Sequence, residues 1–518
     1  MSEIALKPYV RLLSDEAMHK IHEQSLELLD KVGVSISHRR TLDVLGQVGA
    51  RLEKGRAHFP KRLVEECLKR VPSRIVYGAR VPKHDLVAEV GGDFHSRSLT
   101  GGEGYIDLET RQWRKILTRD LVEWITLADG LEHVDYVASI YPDDMNLDTR
   151  DVHILRLMLE HSVKHVEVQP YTGKGVGYMV EMIKAVQGNP EQVRQRPLLS
   201  VLTSALSPLK FLPYALDILF TVGPLHVPIE LNTMPIAGAT CPVTLAGALL
   251  QANVEILTGV CIAQSAFPGM PLMYAPRNLI LDSWTGLSLQ GRMEAAMMSA
   301  CQAQISAELY HMPPNLFGAV ADSMVHDTQS AAERIINILL PVLSGANVVA
   351  GLGHLEHCYT YDPVLLVMDN DMIGMVRRLM RGVEVTDETL GMDAIERVSL
   401  AFGGNYLIDE HTLRHYKSEY FVPKTINRFV RGVWESRGMK DSNELARERA
   451  RKILAEHRAE PLDPKLLAEL DKIVASADKD AAEGKLTHAY GGASGPEEYG
   501  SYGALVDAVA SGGKNPGG

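Results

Sequence analysis

The sequence predicts an α/β protein built on a closed (β/α)8 barrel, with an N-terminal helical and hairpin region and C-terminal helices added to it. From about residue 118 onward, short apolar runs alternate with helical stretches, the order expected for a parallel sheet. The apolar runs are continuous, as in strands that are buried on both faces. No GxGxxG motif follows the first run, so nothing indicates a dinucleotide site in an open sheet.

Seven runs are predicted as barrel strands, which leaves one strand to be found. The eighth strand comes either from the hairpin region or from residues 364–369. An open, doubly wound sheet is the alternative architecture. The seven runs are 134–140, 165–169, 198–203, 228–233, 271–275, 315–320 and 347–352.

The chain divides into four predicted parts. Residues 1–117 form helices and a hairpin region packed on the barrel, and 118–440 form the barrel itself. Residues 441–483 form charged C-terminal helices, and the Gly-rich residues 484–518 form a flexible tail. The first helix is predicted over 14–33, because Ser14 and Asp15 are capping residues and Gly33 suits its end.

Composition narrows the possible function classes. The chain has 518 residues, 46% of them hydrophobic, and a net charge of −12, which argues against a nucleic-acid partner. Five cysteines without a CxxC pair argue against a disulfide framework or a structural zinc site. Because we find neither a secretory signal nor a run of 18 apolar residues, we expect a cytoplasmic enzyme that does not span a membrane.

The active site of such a barrel lies where the strands end, so the residues at the carboxyl ends are the candidates. They include tyrosines, acids, one arginine and one histidine, but no GxSxG serine and no strand-end thiol. His354, Glu356 and His357 come nearest to a metal-binding group, but their spacing does not put all three on one side, so we predict no metal. The candidates are Glu103, Tyr105, Tyr141, Asp143, Asp144, Gln169, Tyr171, Thr203, Ser204, Glu230, Asn232, Tyr274, Arg277, Asp322, His354 and Glu356.

Tyrosines with acids and without a nucleophile suit a cation that donates no hydrogen bonds. Aromatic faces and a nearby negative charge bind quaternary ammonium groups in this way. Such a pocket binds and orients its ligand, so the reacting group must come from elsewhere. Separately, small residues in 233–260 predict either close packing of a helix on the sheet or close approach of a ligand.

Several long motifs, in order, resemble the trimethylamine methyltransferase superfamily over about residues 10–480. They are LSDEAMHKIHEQSLELLDKVGVSI, FPKRLVEECLKRVPSRIVYGAR, AGATCPVTLAGALLQANVEILTGVCIAQ, PGMPLMYA, HDTQSAAERIINILLPVLSGANVVAGLGHLE and LLVMDNDMIGMVRRLMRGVEV. The resemblance implies a barrel enzyme that moves a methyl group from an amine to the cob(I)alamin of a separate corrinoid protein.

The corrinoid is expected on the partner protein and not on this chain. The nearest match to the DxHxxG corrinoid loop is Asp151-Val152-His153, which continues to Arg156 where the motif has glycine and lies in a predicted helix. The chain is therefore expected to bind a small amine and to dock a corrinoid protein. A homo-oligomer is compatible with the sequence.

The resemblance also gives the most informative difference. Aligning HMPPNLFG with the family's strand places Ala319 where the trimethylamine branch carries pyrrolysine. A member without pyrrolysine suits a quaternary amine, which already carries its charge and loses a neutral tertiary amine, so positioning matters more than acid–base help. Glycine betaine or a related betaine is the leading candidate substrate.

The resemblance implies roles for the strand-end residues. Arg277 and His354 are candidates to hold a betaine carboxylate, although Arg277 could instead pair with Asp282. The remaining predicted substrate-binding residues are Tyr105, Glu230, Asn232, Tyr274 and Asp322. Two alternatives stay open. One is a catalytically inactive barrel that binds quaternary amines, and the other is a hydrolase or lyase on the same barrel.

Overall fold

The computed structural model describes residues 8–486 and contains a closed barrel of eight parallel strands, as predicted. Parallel pairing joins neighbouring strands in chain order, and bridges at Arg97–Tyr136 and Tyr274–Pro314 complete the ring. The strands are β1 (His95–Ser98), β2 (Val137–Ala138), β3 (Val166–Val168), β4 (Leu199–Ala205), β5 (Ile229–Thr233), β6 (Leu272–Pro276), β7 (Asn315–Phe317) and β8 (Val348–Leu352).

A helix follows each strand and packs on the outside of the barrel. The eighth strand, β1, comes from the hairpin region and lies inside the range 1–117, whereas Val364–Asp369 are helical. The helices are α1 (Thr118–Gly130), α2 (Arg150–His161), α3 (Val176–Gln187), α4 (Pro213–Val222), α5 (Leu245–Ala266), α6 (Met293–Gln304), α7 (Thr328–Leu343) and α8 (Pro363–Met380).

Helix α5 is long and apolar enough to cross a membrane by length and composition, but it is a core helix of the barrel. It packs against β5 and β6 on one side and against N-terminal helices on the other. A Cβ built on Gly259 would lie 3.0 Å from Leu231 Cδ2 of β5. Two explanations were open for the small residues of 233–260. At Gly259, the structure shows close packing of the helix on the sheet.

The N-terminal region covers one side of the barrel. Its first helix, Asp15–Lys31, begins at Ser14, whose hydroxyl accepts a hydrogen bond from the Ala17 N–H, and is followed by Gly33 at a φ of +66°. The helices are Asp15–Lys31, Arg39–Gln47 and Lys61–Leu68, and the strands are Val34–Ile36, Arg51–Glu53, Arg56–His58, Arg74–Tyr77, Leu86–Glu89, Gly104–Ile106 and Trp113–Lys115. The last two form the predicted hairpin.

Two helices close the described chain. Ser442–Glu456 packs against α8 and α1, and Pro464–Ala482 packs against α2 and α3. Four short helices precede them: Asp387–Leu390, Met392–Leu400, Glu410–Glu419 and Arg431–Ser436. The predicted tail falls almost wholly outside the described residues, and the division of the chain at 117, 440 and 483 stays a prediction.

Candidate active site

The loops that follow the barrel strands enclose a cavity of about 540 Å³, here called the mouth cavity. Segments after β1, β2, β3, β5, β6 and β8 all contribute, so it lies at the carboxyl ends of the strands, where barrel active sites lie. Its lining residues are Thr100, Gly101, Gly102, Glu103, Lys115, Tyr141, Asp143, Arg150, Gln169, Tyr171, Met234, Ser288, Gln290, His357, Cys358 and Tyr359.

Three tyrosines and two carboxylates define the chemistry of the mouth cavity. Tyr141 and Tyr171 meet edge to face with ring centroids 5.3 Å apart, and Tyr359 is the third aromatic residue of the lining. The Tyr141 hydroxyl donates to the Gln169 carbonyl at 2.5 Å, which fixes its ring. Glu103 and Asp143 add negative charge. The structure brings together five of the strand-end candidates predicted from the sequence: Glu103, Tyr141, Asp143, Gln169 and Tyr171.

Two cations line the same cavity, and they differ in their partners. Lys115 donates to the Glu103 carboxylate at 2.7 Å. The Arg150 guanidinium lies 5.0 Å from the centroid of the Tyr141 ring, and its Nε is buried without a hydrogen-bond partner in the described chain. Arg150 begins helix α2 and follows β2 by twelve residues, so its position in the sequence does not mark it as a strand-end residue.

A thiol reaches the mouth cavity from beyond the strand ends, because Cys358 lines the cavity from a position six residues after β8. Its Sγ donates to Gln290 Oε1 at 2.7 Å and lies 3.6 Å from His354 Nε2. Burial raises the pKa of the Cys358 thiol well above its usual value. The thiolate is the nucleophilic form, so this thiol is held in its unreactive state.

Five side chains from five strands or strand ends meet inside the barrel and form what we call the interior cluster. Arg97 is 3.1 Å from Glu230 and 3.2 Å from Glu167. Arg277 pairs with Glu230, and the Asn315 amide donates to Glu230 at 2.6 Å and accepts from Arg277 at 2.9 Å. All five side chains are buried.

The two carboxyl groups of the interior cluster differ in charge. Burial raises the pKa of Glu167 well above its usual value, and the nearby Glu230 carboxylate raises it further. Burial also opposes ionisation of Glu230, but Arg97 and Arg277 together hold its pKa below the usual value. We therefore assign Glu167 as neutral and Glu230 as the anion that pairs with both arginines.

Arg277 does not lie where its predicted role in binding the substrate carboxylate requires. Its guanidinium is held by Glu230 and Asn315 and lies 4.9 Å from the Phe317 ring centroid, inside the barrel. Asp282, the partner considered from the sequence, pairs with Arg292 instead at 2.8 Å. Arg277 is thus an interior residue that is already paired with a carboxylate, and it does not line the mouth cavity in the described structure.

Two further predicted residues are buried near the interior cluster or behind the cavity wall. Asn232 donates to Ser204 Oγ at 3.0 Å, and its Oδ1 is buried without a described partner. His354 is fully buried behind Cys358, and its Nδ1 has no described partner either. Burial, followed by the charge of Arg334, lowers the pKa of His354 well below its usual value, so the imidazole is neutral.

Asp322 supports the cavity wall from behind. Its carboxylate accepts from the backbone N–H groups of Gln290 and Gly291, both at 2.8 Å, and bonds to His357 Nδ1 at 2.8 Å. Gln290 and His357 line the mouth cavity. Asp322 is therefore a positioning residue for the cavity rather than a group around the cation.

The predictions for Tyr105 and Tyr274 are wrong, because both side chains lie outside the barrel mouth. Tyr274 pairs in register with Leu231, whose side chain faces α5, and its hydroxyl donates to Asn253 of that helix at 2.9 Å. Tyr105 is buried in the hairpin sheet, 5.4 Å from the Arg114 guanidinium, where the Asp120 and Glu123 carboxylates of α1 raise its pKa after burial itself.

Ala319 follows β7 and is fully buried. Its carbonyl oxygen accepts from Arg334 of α7, which also pairs with Asp369 of α8 at 2.9 Å. The methyl side chain offers no reactive group at this strand end. That Ala319 is the position equivalent to pyrrolysine stays a prediction.

The residues considered as possible metal ligands form hydrogen bonds with other side chains. His357 binds Asp322, and Glu356 accepts from Thr360 at 2.7 Å. Over residues 8–486, no group of three or more His, Cys, Asp or Glu side chains has the arrangement of a metal site.

A family model described as trimethylamine methyltransferase (MTTB) matches residues 3–482. The chain belongs to the trimethylamine methyltransferase family. It is 31% identical over 472 residues to trimethylamine methyltransferase MttB of Desulfitobacterium hafniense, covering 90% of this chain and 94% of the relative. It is 26% identical over 481 residues to glycine betaine methyltransferase of the same species, covering 92% and 99%.

The fold of this methyltransferase family member also matches a solved structure. The monomethylamine methyltransferase of Methanosarcina barkeri superposes with a TM-score of 0.53 at 11% identity, covering 87% of this chain and 88% of that one. At this identity the match concerns the barrel fold alone.

In this family member, the Asp151-Val152-His153 segment lies in helix α2, as predicted. The Asp151 carboxylate accepts from the Tyr171 and Thr172 backbone N–H groups at 2.6 and 3.0 Å, and His153 binds Asp478 at 2.9 Å. These contacts anchor the β3 loop and a C-terminal helix. Asp151 and His153 thus have local structural partners.

Proposed function

We propose that this chain transfers a methyl group from a quaternary amine to the cob(I)alamin of a separate corrinoid protein and releases a tertiary amine. Glycine betaine or a related betaine is the proposed substrate. The observation that carries the proposal is the mouth cavity, where three tyrosines and two carboxylates surround a space whose Cys358 thiol is kept protonated by its raised pKa.

The cavity lining favours a quaternary ammonium group over a protonated amine. An N–H donor gains from a directed hydrogen bond, whereas a trimethylammonium group gains from aromatic faces and a diffuse negative field. Tyr141, Tyr171 and Tyr359 supply the faces, and Asp143 supplies the field, since the Glu103 charge is paired with Lys115. Because the Tyr141 hydroxyl is used by Gln169, its ring presents apolar surface.

Arg150 is our candidate for the betaine carboxylate, in place of Arg277 and His354. It lies in the same cavity as the tyrosines, and its buried Nε has no described partner. Arg277 already pairs with Glu230, and His354 is neutral and shielded by Cys358. An arginine also suits a carboxylate geometrically, because its N–H groups match the two oxygens.

The methyl acceptor is proposed to arrive from outside the chain. Cob(I)alamin supplies the nucleophile when its protein docks over the barrel mouth, a role that the family resemblance implies. The residues of this chain then orient the ammonium group and exclude water, and a neutral tertiary amine leaves without proton transfer. Ala319 is consistent with this, because no electrophilic side chain is needed there.

The relatives leave the substrate open between two classes. One similar protein is named for trimethylamine and another for glycine betaine. The cavity composition is our reason for the second class. A catalytically inactive barrel that binds quaternary amines is the alternative, and the same cavity would serve it.

The test combines the purified chain with cob(I)alamin and a panel of methylated amines, and follows the absorbance change to methylcob(III)alamin. We expect methylation with a betaine and none with trimethylamine. Methylation with trimethylamine alone would contradict the proposed substrate. Tight betaine binding, measured by calorimetry, without methylation in the presence of a corrinoid protein would favour the inactive barrel.

A further inference from the structure

His357 places an imidazole in the wall of the mouth cavity with one ring nitrogen unused. Its Nδ1 lies 2.8 Å from Asp322 Oδ1, and its Nε2 is buried without a hydrogen-bond partner within residues 8–486. The side chain is 8% exposed, yet it lines the cavity. A buried polar atom beside a cavity is a position where a bound ligand can supply the missing partner.

Asp322 fixes which nitrogen of His357 carries the proton. Its carboxylate also accepts from the Gln290 and Gly291 backbone N–H groups, both at 2.8 Å, so it acts as an acceptor throughout. Nδ1 must then donate to it, and Nε2 of the neutral imidazole presents a lone pair. Asp322 alone would favour an imidazolium, but the Arg150 guanidinium and a bound ammonium group in the same cavity oppose another positive charge. His357 therefore presents an acceptor to the cavity.

The backbone that carries His357 is held in an unfavourable conformation. Glu356, His357 and Cys358 have φ angles of +53°, +54° and +73°, a left-handed region that residues other than glycine enter singly rather than in succession. The Glu356 and His357 N–H groups donate to the Ser323 and Ala321 carbonyls at 2.9 and 3.3 Å, which hold this turn against the segment after β7. Backbone strain of this kind is concentrated at ligand-binding sites.

Two other neutral side chains of the cavity wall already have hydrogen-bond partners. The Gln290 amide oxygen accepts from Cys358 Sγ at 2.7 Å, and its nitrogen donates to the His357 carbonyl at 3.0 Å. Thr100 Oγ1 lies 3.1 Å from Ser139 Oγ. A ligand hydroxyl that enters the cavity therefore finds an open acceptor at His357 Nε2.

We propose that His357 Nε2 accepts a hydrogen bond from a hydroxyl group of the substrate, which makes the substrate a hydroxylated betaine. The inference rests on the proposed function, in which tyrosine faces hold the ammonium group and Arg150 holds the carboxylate. A lone pair on Nε2 requires a donor, and neither a trimethylammonium group nor a carboxylate has one. The cavity, at about 540 Å³, lies in the range that encloses ligands larger than glycine betaine.

Calorimetric titration of the full chain with carnitine and with γ-butyrobetaine tests the proposal, because these two betaines differ by one hydroxyl group. One enantiomer of carnitine should bind about 5- to 150-fold more tightly than γ-butyrobetaine, since the analogue without a hydroxyl leaves a buried acceptor unpaired. The comparison uses the unmodified chain, so it does not depend on a variant folding. Equal affinities of γ-butyrobetaine and both enantiomers overturn the proposal.

His357→Asn isolates the contribution of the imidazole, because asparagine tolerates the left-handed backbone at this position. The variant should lose the preference for carnitine and keep its affinity for γ-butyrobetaine. His311→Asn is the matched control, since His311 is exposed, has a φ of +52° and precedes β7 at the amino end of that strand. The control should keep the preference. Equal losses for both betaines in His357→Asn would leave His357 a structural role only.

Methyl transfer to cob(I)alamin separates this proposal from the proposed function. A preference for carnitine that depends on His357, without methyl transfer from either betaine, would contradict the proposed function and leave the role of His357 standing. Methyl transfer from both betaines with equal kcat/KM would support the proposed function and overturn the role of His357.

Discussion

Arg150 differs from three fully buried arginines of the barrel in the availability of its guanidinium group. Arg97 and Arg277 pair with Glu230, and Arg334 pairs with Asp369. Arg150 instead stacks on Tyr141 and keeps a buried Nε without a described partner. A guanidinium group in this state can donate hydrogen bonds to an anionic group of a ligand.

Arg150→Ala should therefore weaken the use of carboxylated quaternary amines selectively. Losing one charge-assisted contact of about 1.5–3 kcal/mol lowers kcat/KM for a betaine by about 10- to 150-fold. For a quaternary amine without a carboxylate, kcat/KM should change little. Arg150→Lys should keep part of the activity. Equal losses for both substrate types in the Ala variant would remove the assigned role.

The interior cluster leads to a second prediction at the residue scale, which concerns the free energy of unfolding. Glu167→Gln should change the free energy of unfolding by less than about 1 kcal/mol, because Glu167 is already neutral. Glu230→Gln should lower the free energy of unfolding by a larger amount, although Glu167 can then ionise and partly replace the lost anion. The double variant leaves both guanidinium groups without a carboxylate and should lose about 3–5 kcal/mol or more.

Urea unfolding of the three variants measures this cycle. The loss in the double variant should exceed the sum of the two single losses, since either carboxylate can serve the arginines. Strict additivity would show that the two carboxyl groups act independently and would refute the shared arrangement.

At the scale of elements, the close contact of α5 with β5 depends on a glycine. A Cβ on Gly259 would meet Leu231 at 3.0 Å, whereas a Cβ on Gly177 of α3 would meet no atom within 4 Å. Replacing glycine by alanine in a helix gains up to about 1 kcal/mol where space allows. Gly177→Ala should stabilise the protein. The free energy of unfolding of the Gly259→Ala variant should be lower than that of the Gly177→Ala variant by about 1–2 kcal/mol.

Thermal unfolding of the two variants under identical conditions measures the difference. If Gly259→Ala stabilised the protein as much as Gly177→Ala, the packing at this contact would have to be looser than the structure indicates.

The elements could be predicted from sequence, because their signals are local. Apolar runs and capping residues such as Ser14 depend only on neighbours along the chain, and they located the helices and seven strands. The strand β1, His95-Ser-Arg-Ser98, has no apolar run, because its inward side chain is Arg97. Only pairing with β8 identifies it as a barrel strand.

The direction of individual side chains was harder to predict. Tyr274 lies in a barrel strand, but its register with Leu231 turns it towards α5, and a one-residue difference reverses the face. Glu167 and Glu230 did carry a signal, since each is a lone charge within an apolar strand. Arg150 and Cys358 reach the cavity through the path of their loops, which no local pattern encodes.

At the scale of the whole molecule, the barrel has two ends with different character. The mouth cavity is lined by tyrosines and charged residues, whereas the segment 383–418, which follows α8 at the amino ends of the strands, exposes apolar side chains.

The interior cluster has a further consequence for the order of events. Because its buried side chains occupy the interior of the barrel, we expect the amine to have no exit from the mouth cavity along the barrel axis. Under the proposed reaction, the amine must enter before the acceptor protein covers the entrance, and the demethylated amine must wait until that protein departs. Steady-state kinetics should therefore show a compulsory order, with the demethylated amine competing only against its parent amine. Random-order kinetics would require a second passage.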